Sequence, residues 1–228
     1  LQLRKAKEES ERANQSKTDF VNKITHEIRN PLHHMLSFSK FGMKKAGDIP
    51  TEKIIDYFGD GKDFGVNLHY SKEEEILGTA GGIKKLQSFL KDETFLVINS
   101  DVLADIDLNN ALEFHKEKKS KLTLVVRQDS NTEKYKPILR TEEGRIVNFL
   151  GHTINNSDPT TQVMFTGIQI MEPDIFSRIP ENKFCGTTED VFPGMIQDEL
   201  PVYGFLHEGY WIDMGTRETY IQAQADAL

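Results

Sequence analysis

Two aspartates, two glycine-bearing segments and one histidine carry the groups that could do chemistry in this sequence. Asp101 follows an uninterrupted apolar run, TFLVIN (94–99). A strand there would carry the Asp101 carboxylate beyond its carboxyl end, where open α/β sheets collect their ligands. Asp213 lies in GYWIDMGT, just ahead of a helix that Thr216 is placed to cap. For either aspartate alone, a turn residue or a local cap is the plainer alternative. LGTAGG (77–82) sets Gly78, Thr79, Ala80 and Gly81 where the chain enters a helix, small enough for a planar base or sugar to approach bare N–H groups. Its alternative is an ordinary glycine turn. Gly167, preceded by Thr166, interrupts the strand-like run QVMFTGIQIM, where glycine weakens a strand unless a ligand or another backbone comes close. His26 projects off the apolar stripe of a helix, and an exposed neutral imidazole is a competent nucleophile toward a phosphoryl group, with Glu27 beside it to take the proton. A solvated polar face is the alternative there.

The elements that must position these groups change character along the chain. From residue 3 to about 43 no strand signal occurs, and Phe20, Val21, Ile24, Ile28, Leu32 and Met35 recur at helical spacing, which predicts one long amphipathic helix bent after Pro31. GDIP (47–50) ends it, so residues 1–45 and 46–228 are predicted as separate parts. Beyond the boundary, strands are expected at VNLHY (66–70), 94–99, 121–127, 145–150, 162–171 and 202–207, with helices at 80–91, 108–119, 189–199 and 216–228. That alternation predicts an α/β domain with a largely parallel sheet.

The bulk properties narrow the function classes. A formal charge of -8 and a pI near 5.4 argue against binding to nucleic acid or an anionic membrane. The single cysteine, Cys185, cannot form an internal disulfide, which agrees with a cytoplasmic location, and no apolar run reaches bilayer-spanning length. Leu1, set in mid-helix, is expected to lie inside a longer product or a damaged gene.

Two resemblances follow from the motifs. FVNKITHEIRNPLHHML (20–36) resembles the phosphoacceptor box of sensor histidine kinases, with Thr25 in place of the usual serine. The resemblance implies that His26 is phosphorylated with Glu27 as its base, and that the helix can pair in a homodimer. No kinase ATP-binding domain follows it. LGTAGG, VINSD (97–101), FTGIQI (165–170) and GYWIDMGTRETYIQA (209–223) together are similar to sugar-1-phosphate nucleotidyltransferases of the mannose-1-phosphate guanylyltransferase type, over about 175 residues.

This second resemblance implies a Rossmann-like, mainly parallel sheet and a reaction in which a sugar-1-phosphate attacks the α-phosphorus of a nucleoside triphosphate and releases pyrophosphate. It assigns Mg2+ to Asp101 and Asp213, nucleobase and sugar contact to Gly78, Thr79, Ala80 and Gly81, and sugar contact to Thr166 and Gly167. The Gly-x-Gly-Thr-Arg-Leu loop and later Lys-Pro of that family do not occur between residues 1 and 53, where the family's first strand also belongs, and LGH (150–152) stands where many relatives carry Glu-Lys-Pro. Weakened transfer is therefore expected. The alternatives are a signalling protein phosphorylated at His26 and a rearranged fusion that only dimerises.

Overall fold

The run Leu122–Arg127 is buried at every position but the last, which is what a strand covered on both faces requires, and it lies within the main sheet of the protein. The structure, a computed structural model, describes residues 51–128 and 138–226. The predicted helix over 3–43, with His26 and Glu27, lies outside the described residues.

The chain divides into two units, Leu1–Tyr70 and Ser71–Leu228. In the first, α1 (Thr51–Phe58) is followed by a loop in which Gly61, at φ 84°, lets Leu68 and Val66 close over its bare Cα. No strand forms at 66–70. The Val66 and Leu68 N–H groups turn back to the Gly61 and Asp60 carbonyls at 3.1 and 2.9 Å, so they are not offered to a ladder.

The second unit carries α2 (Gly78–Lys85), α3 (Gln87–Leu90), β1 (Phe95–Ile98), β2 (Val102–Ala104), α4 (Leu108–Glu117), β3 (Leu122–Arg127), β4 (Ile138–Thr141), β5 (Ile146–Phe149), β6 (His152–Thr153), β7 (Thr160–Met171), α5 (Phe192–Gln197), β8 (Val202–Leu206), β9 (Trp211–Asp213) and α6 (Arg217–Asp226). The α/β architecture is as expected. The main sheet runs β6-β5-β4-β7-β3-β8, with β1 also on β7, and β2 and β9 form a separate ribbon.

Strand direction departs from the expected parallel sheet. Among the described strands only β3 and β8 pair parallel; the other ladders are antiparallel. Short connections impose this on β4–β5 and β5–β6, since a tight turn can join only antiparallel neighbours. Leu150 (φ 54°) and Gly151 (φ 99°) make a two-residue turn between Phe149 and its partner His152, so LGH is a hairpin. Gly144 (φ 96°) turns β4 back into β5.

The core gathers Leu122, Leu124 and Val126 of β3 with Phe149, Met171, Phe176, Phe192, Met195 and Val202. On the other face α4 starts at Asp107, whose carboxylate accepts the Asn109 and Asn110 N–H groups. Near its end His115 is buried, with Nδ1 2.8 Å from the Thr123 hydroxyl and Nε2 3.1 Å from Glu172 Oε1. Burial holds the imidazole pKa below its usual 6.5 despite Glu172, so His115 is neutral and donates Nε2–H to the carboxylate. Burial opposes ionisation of Glu172 too, yet hydrogen bonds from Thr94 and His115 more than offset it and lower its pKa.

The unfolded chain takes up a proton at His115 more readily than the folded one. Stability from this site is therefore complete above about pH 6.5 and declines as pH falls toward the lower folded pKa. Thermal midpoints measured from pH 7.5 to 5 are expected to drop below pH 6.5, and His115→Gln to flatten that part of the profile. An unchanged slope in His115→Gln would assign the decline elsewhere.

Candidate active site

β1 ends at Ile98, and the next three residues turn over the edge of β7. The Asn99 N–H donates to the Gly167 carbonyl at 2.9 Å and Val102 N–H to the Asn99 carbonyl at 3.3 Å. Gly167 makes this approach possible. Its φ is 83°, and a Cβ there would sit 3.0 Å from Asn99 Nδ2 and 3.1 Å from Val102 Cγ2. The glycine lies in a bulge: from Leu124 to Val126 the β3 partner advances two residues, while β7 advances four, from Gln169 back to Phe165. The expectation that something comes close to Gly167 is met, by the chain's own turn.

The turn delivers Asp101 into the ribbon. Val102 pairs with Asp213, and Met214 N–H donates to the Asp101 carbonyl at 2.8 Å, which puts the two aspartates on adjacent rungs at one end of the ladder. Asp101 is half-buried and Asp213 exposed. Asp213 Oδ1 accepts the Gly215 N–H at 2.5 Å, and Thr216 caps α6 through the Thr219 N–H at 3.1 Å. Neither carboxylate is neutralised by an ion pair among the described residues.

Such a donor set suits a hard divalent cation. Magnesium is commonly held by one or two carboxylates, with water and substrate phosphates completing its shell. Among the described residues no group of three or more His, Cys, Asp or Glu side chains is gathered.

Thr166 has another task. It is buried, its hydroxyl donates to the Val125 carbonyl at 2.8 Å, and its own carbonyl accepts the Trp211 indole N–H at 2.9 Å. The hydroxyl is thus committed to β3 at the bulge, and the carbonyl to Trp211 of β9.

The glycine segment docks elsewhere. Gly78 has φ 72°, and a Cβ on it would meet the Cys185 carbonyl oxygen at 2.7 Å. That same carbonyl accepts Ala80 N–H at 2.9 Å and Gly81 N–H at 3.2 Å, so two of the helix-start donors expected to be bare are occupied. Thr79 Oγ1 lies 3.0 Å from Thr187 Oγ1 and accepts the Thr187 N–H at 2.9 Å. Residues 185–187 lead into a π-helical turn, Thr187–Val191, a form common at functional sites. Burial, and then Asp190, push the Cys185 thiol pKa up. No hydrogen bond or ion pair among the described residues links the glycine segment to Asp101 or Asp213.

Sequence reasoning missed Asn99, Arg127 and the Cys185 carbonyl. Only Arg127 left a trace, as the one charge closing an apolar strand.

The nucleotidyl transferase family model matches residues 48–228. The chain belongs to that family. It is 34% identical to mannose-1-phosphate guanylyltransferase of Mycobacterium tuberculosis, over 75% of this chain and 47% of the relative. It is 33% identical to UTP--glucose-1-phosphate uridylyltransferase of Synechocystis, over 76% and 48%. The chain thus spans about half the length of these relatives. In fold, this nucleotidyl transferase chain resembles HddC from Yersinia pseudotuberculosis complexed with GMP-PN, at TM-score 0.63 and 21% identity, covering 86% of this chain and 85% of that one. No helix among the described residues is long and apolar enough to cross a membrane.

Proposed function

We propose that the chain acts on a nucleoside triphosphate and a sugar-1-phosphate, forming a nucleotide sugar and pyrophosphate, with GTP and mannose 1-phosphate the first pair to try. The ribbon that sets Asp101 and Asp213 on adjacent rungs carries this reading. When bound between these carboxylates, Mg2+ would offset phosphate charge near the α-phosphorus. The protein's own part is to hold the two carboxylates in place, through Gly167 below the turn and the Thr216 cap behind Asp213. Attack by the sugar phosphate oxygen forms the new P–O bond as the bond to pyrophosphate breaks, and no covalent enzyme intermediate is needed.

Transfer by this chain alone is slow in this reading. The LGH hairpin offers no lysine where many relatives carry Glu-Lys-Pro. We place the reaction in the cytoplasm.

Pyrophosphorolysis of GDP-mannose, followed as GTP formed, tests the reading. Mg2+-dependent turnover is expected to fall about 100-fold in Asp101→Asn. Turnover indifferent to chelator and to Asp101→Asn would overturn it.

A further inference from the structure

We propose that Arg127 is a positioning residue for Asp213, acting through Trp211; the inference rests on the carboxylate pair proposed above. The ribbon of β2 and β9 has three rungs and two strands, and a two-stranded piece of that size does not hold its own shape in water. What fixes β9 must come from outside it, and the contacts converge on its first residue, two positions before Asp213. The Trp211 indole N–H is tied to the β7 bulge through the Thr166 carbonyl. The Arg127 guanidinium lies over the Trp211 ring, 5.5 Å from the centroid, and its Nη1 donates to the Trp211 carbonyl at 3.3 Å. Arg127 thus holds side chain and backbone of the same residue.

Arg127 is also where this end of β3 departs from economical packing. Its Nε is buried without a hydrogen-bond partner, and no carboxylate pairs with the guanidinium among the described residues. A buried donor left unmade is destabilising, and such departures concentrate where geometry is being held for a purpose. Lysine cannot replace it in kind, because an ammonium lacks the planar fork that stacks and donates at once.

Trp211 is the only tryptophan of the chain, so its emission reports directly on this clamp. Mn2+ affinity by electron paramagnetic resonance and Trp211 emission are to be measured on the full chain, in wild type, Arg127→Met, Arg127→Lys and Asp213→Asn. Arg127→Met is expected to shift the emission to the red and weaken Mn2+ binding about tenfold, the size of effect seen when a residue behind a metal ligand is removed. Arg127→Lys should weaken it severalfold, and Asp213→Asn should weaken binding while leaving the emission in place.

Wild-type Mn2+ affinity in Arg127→Met alongside a shifted emission would overturn the proposal, leaving Arg127 as packing only. Should Arg127→Met fail to fold, wild-type affinity in Arg127→Lys would do the same. If Asp213→Asn binds Mn2+ as wild type does, the carboxylate pair itself fails, and the role of Arg127 falls with it.

Discussion

Gly167→Val is expected to lose about 3 kcal/mol or more of folding stability and to abolish divalent-cation binding with it. Two separate obstacles meet at one Cα. A φ of 83° is hostile to any side chain and most of all to a β-branched one. Even if the backbone tolerated it, the new Cβ would sit 3.0 to 3.2 Å from Asn99 and Val102, the residues on either side of the turn that bears Asp101. Urea unfolding measures the loss as a lower midpoint at unchanged slope. Gly167→Ala should lose less, about 1 to 2 kcal/mol. A midpoint in Gly167→Val equal to that of wild type would mean that the bulge can refold around a side chain, and that the turn does not depend on the glycine.

Phe192→Ala is the second large loss, about 3 to 5 kcal/mol, or roughly 10 °C in thermal midpoint. Phe192 is fully buried at the start of α5 and meets Phe149 and Phe165 edge to face, at 5.7 and 6.4 Å between ring centroids. Truncation would leave a void among aromatic rings that β5 and β7 hold apart. Its effect differs in kind from that of Gly167→Val: at temperatures where Phe192→Ala is folded, Mn2+ affinity should equal that of wild type. A loss below about 1 kcal/mol would show that the neighbouring rings close the gap.

The strongest strands were legible because each is written as an apolar run, covered on both faces in β3 but with Leu96 and Ile98 exposed in β1. TFLVIN, KLTLVVR and QVMFTGIQIM appear as β1, β3 and β7. Their direction was not legible, since an apolar run reads alike in parallel and antiparallel partners; Leu150-Gly151 and Glu143-Gly144 carried turn chemistry that decides it only for β4, β5 and β6. VNLHY shows the converse failure, an apolar alternation spent on a local loop. β2 and β9, three residues each, are too short for any period to register, yet their ladder brings the backbone of Asp101 and Asp213 onto adjacent rungs.

Around the candidate site, residue types disclosed the need for glycine at 167. They could not disclose that Thr166 turns inward, or that the Cys185 carbonyl takes the Ala80 and Gly81 donors. A main-chain oxygen is common to all residues, so the partner of a helix start leaves no mark on the sequence.

The surplus of β7 over β3 at the bulge is even, so inward and outward positions stay in phase along the whole strand. Deleting one residue between Phe165 and Gln169 would invert half of β7, turning its later residues off the face they share with their β1 partners Leu96 and Ile98. Deleting two would spare the sheet and remove only the shelf beneath Asn99. Length variation among descendants of this chain should therefore come in pairs at this point, and each pair lost would separate a sound scaffold from its chemistry.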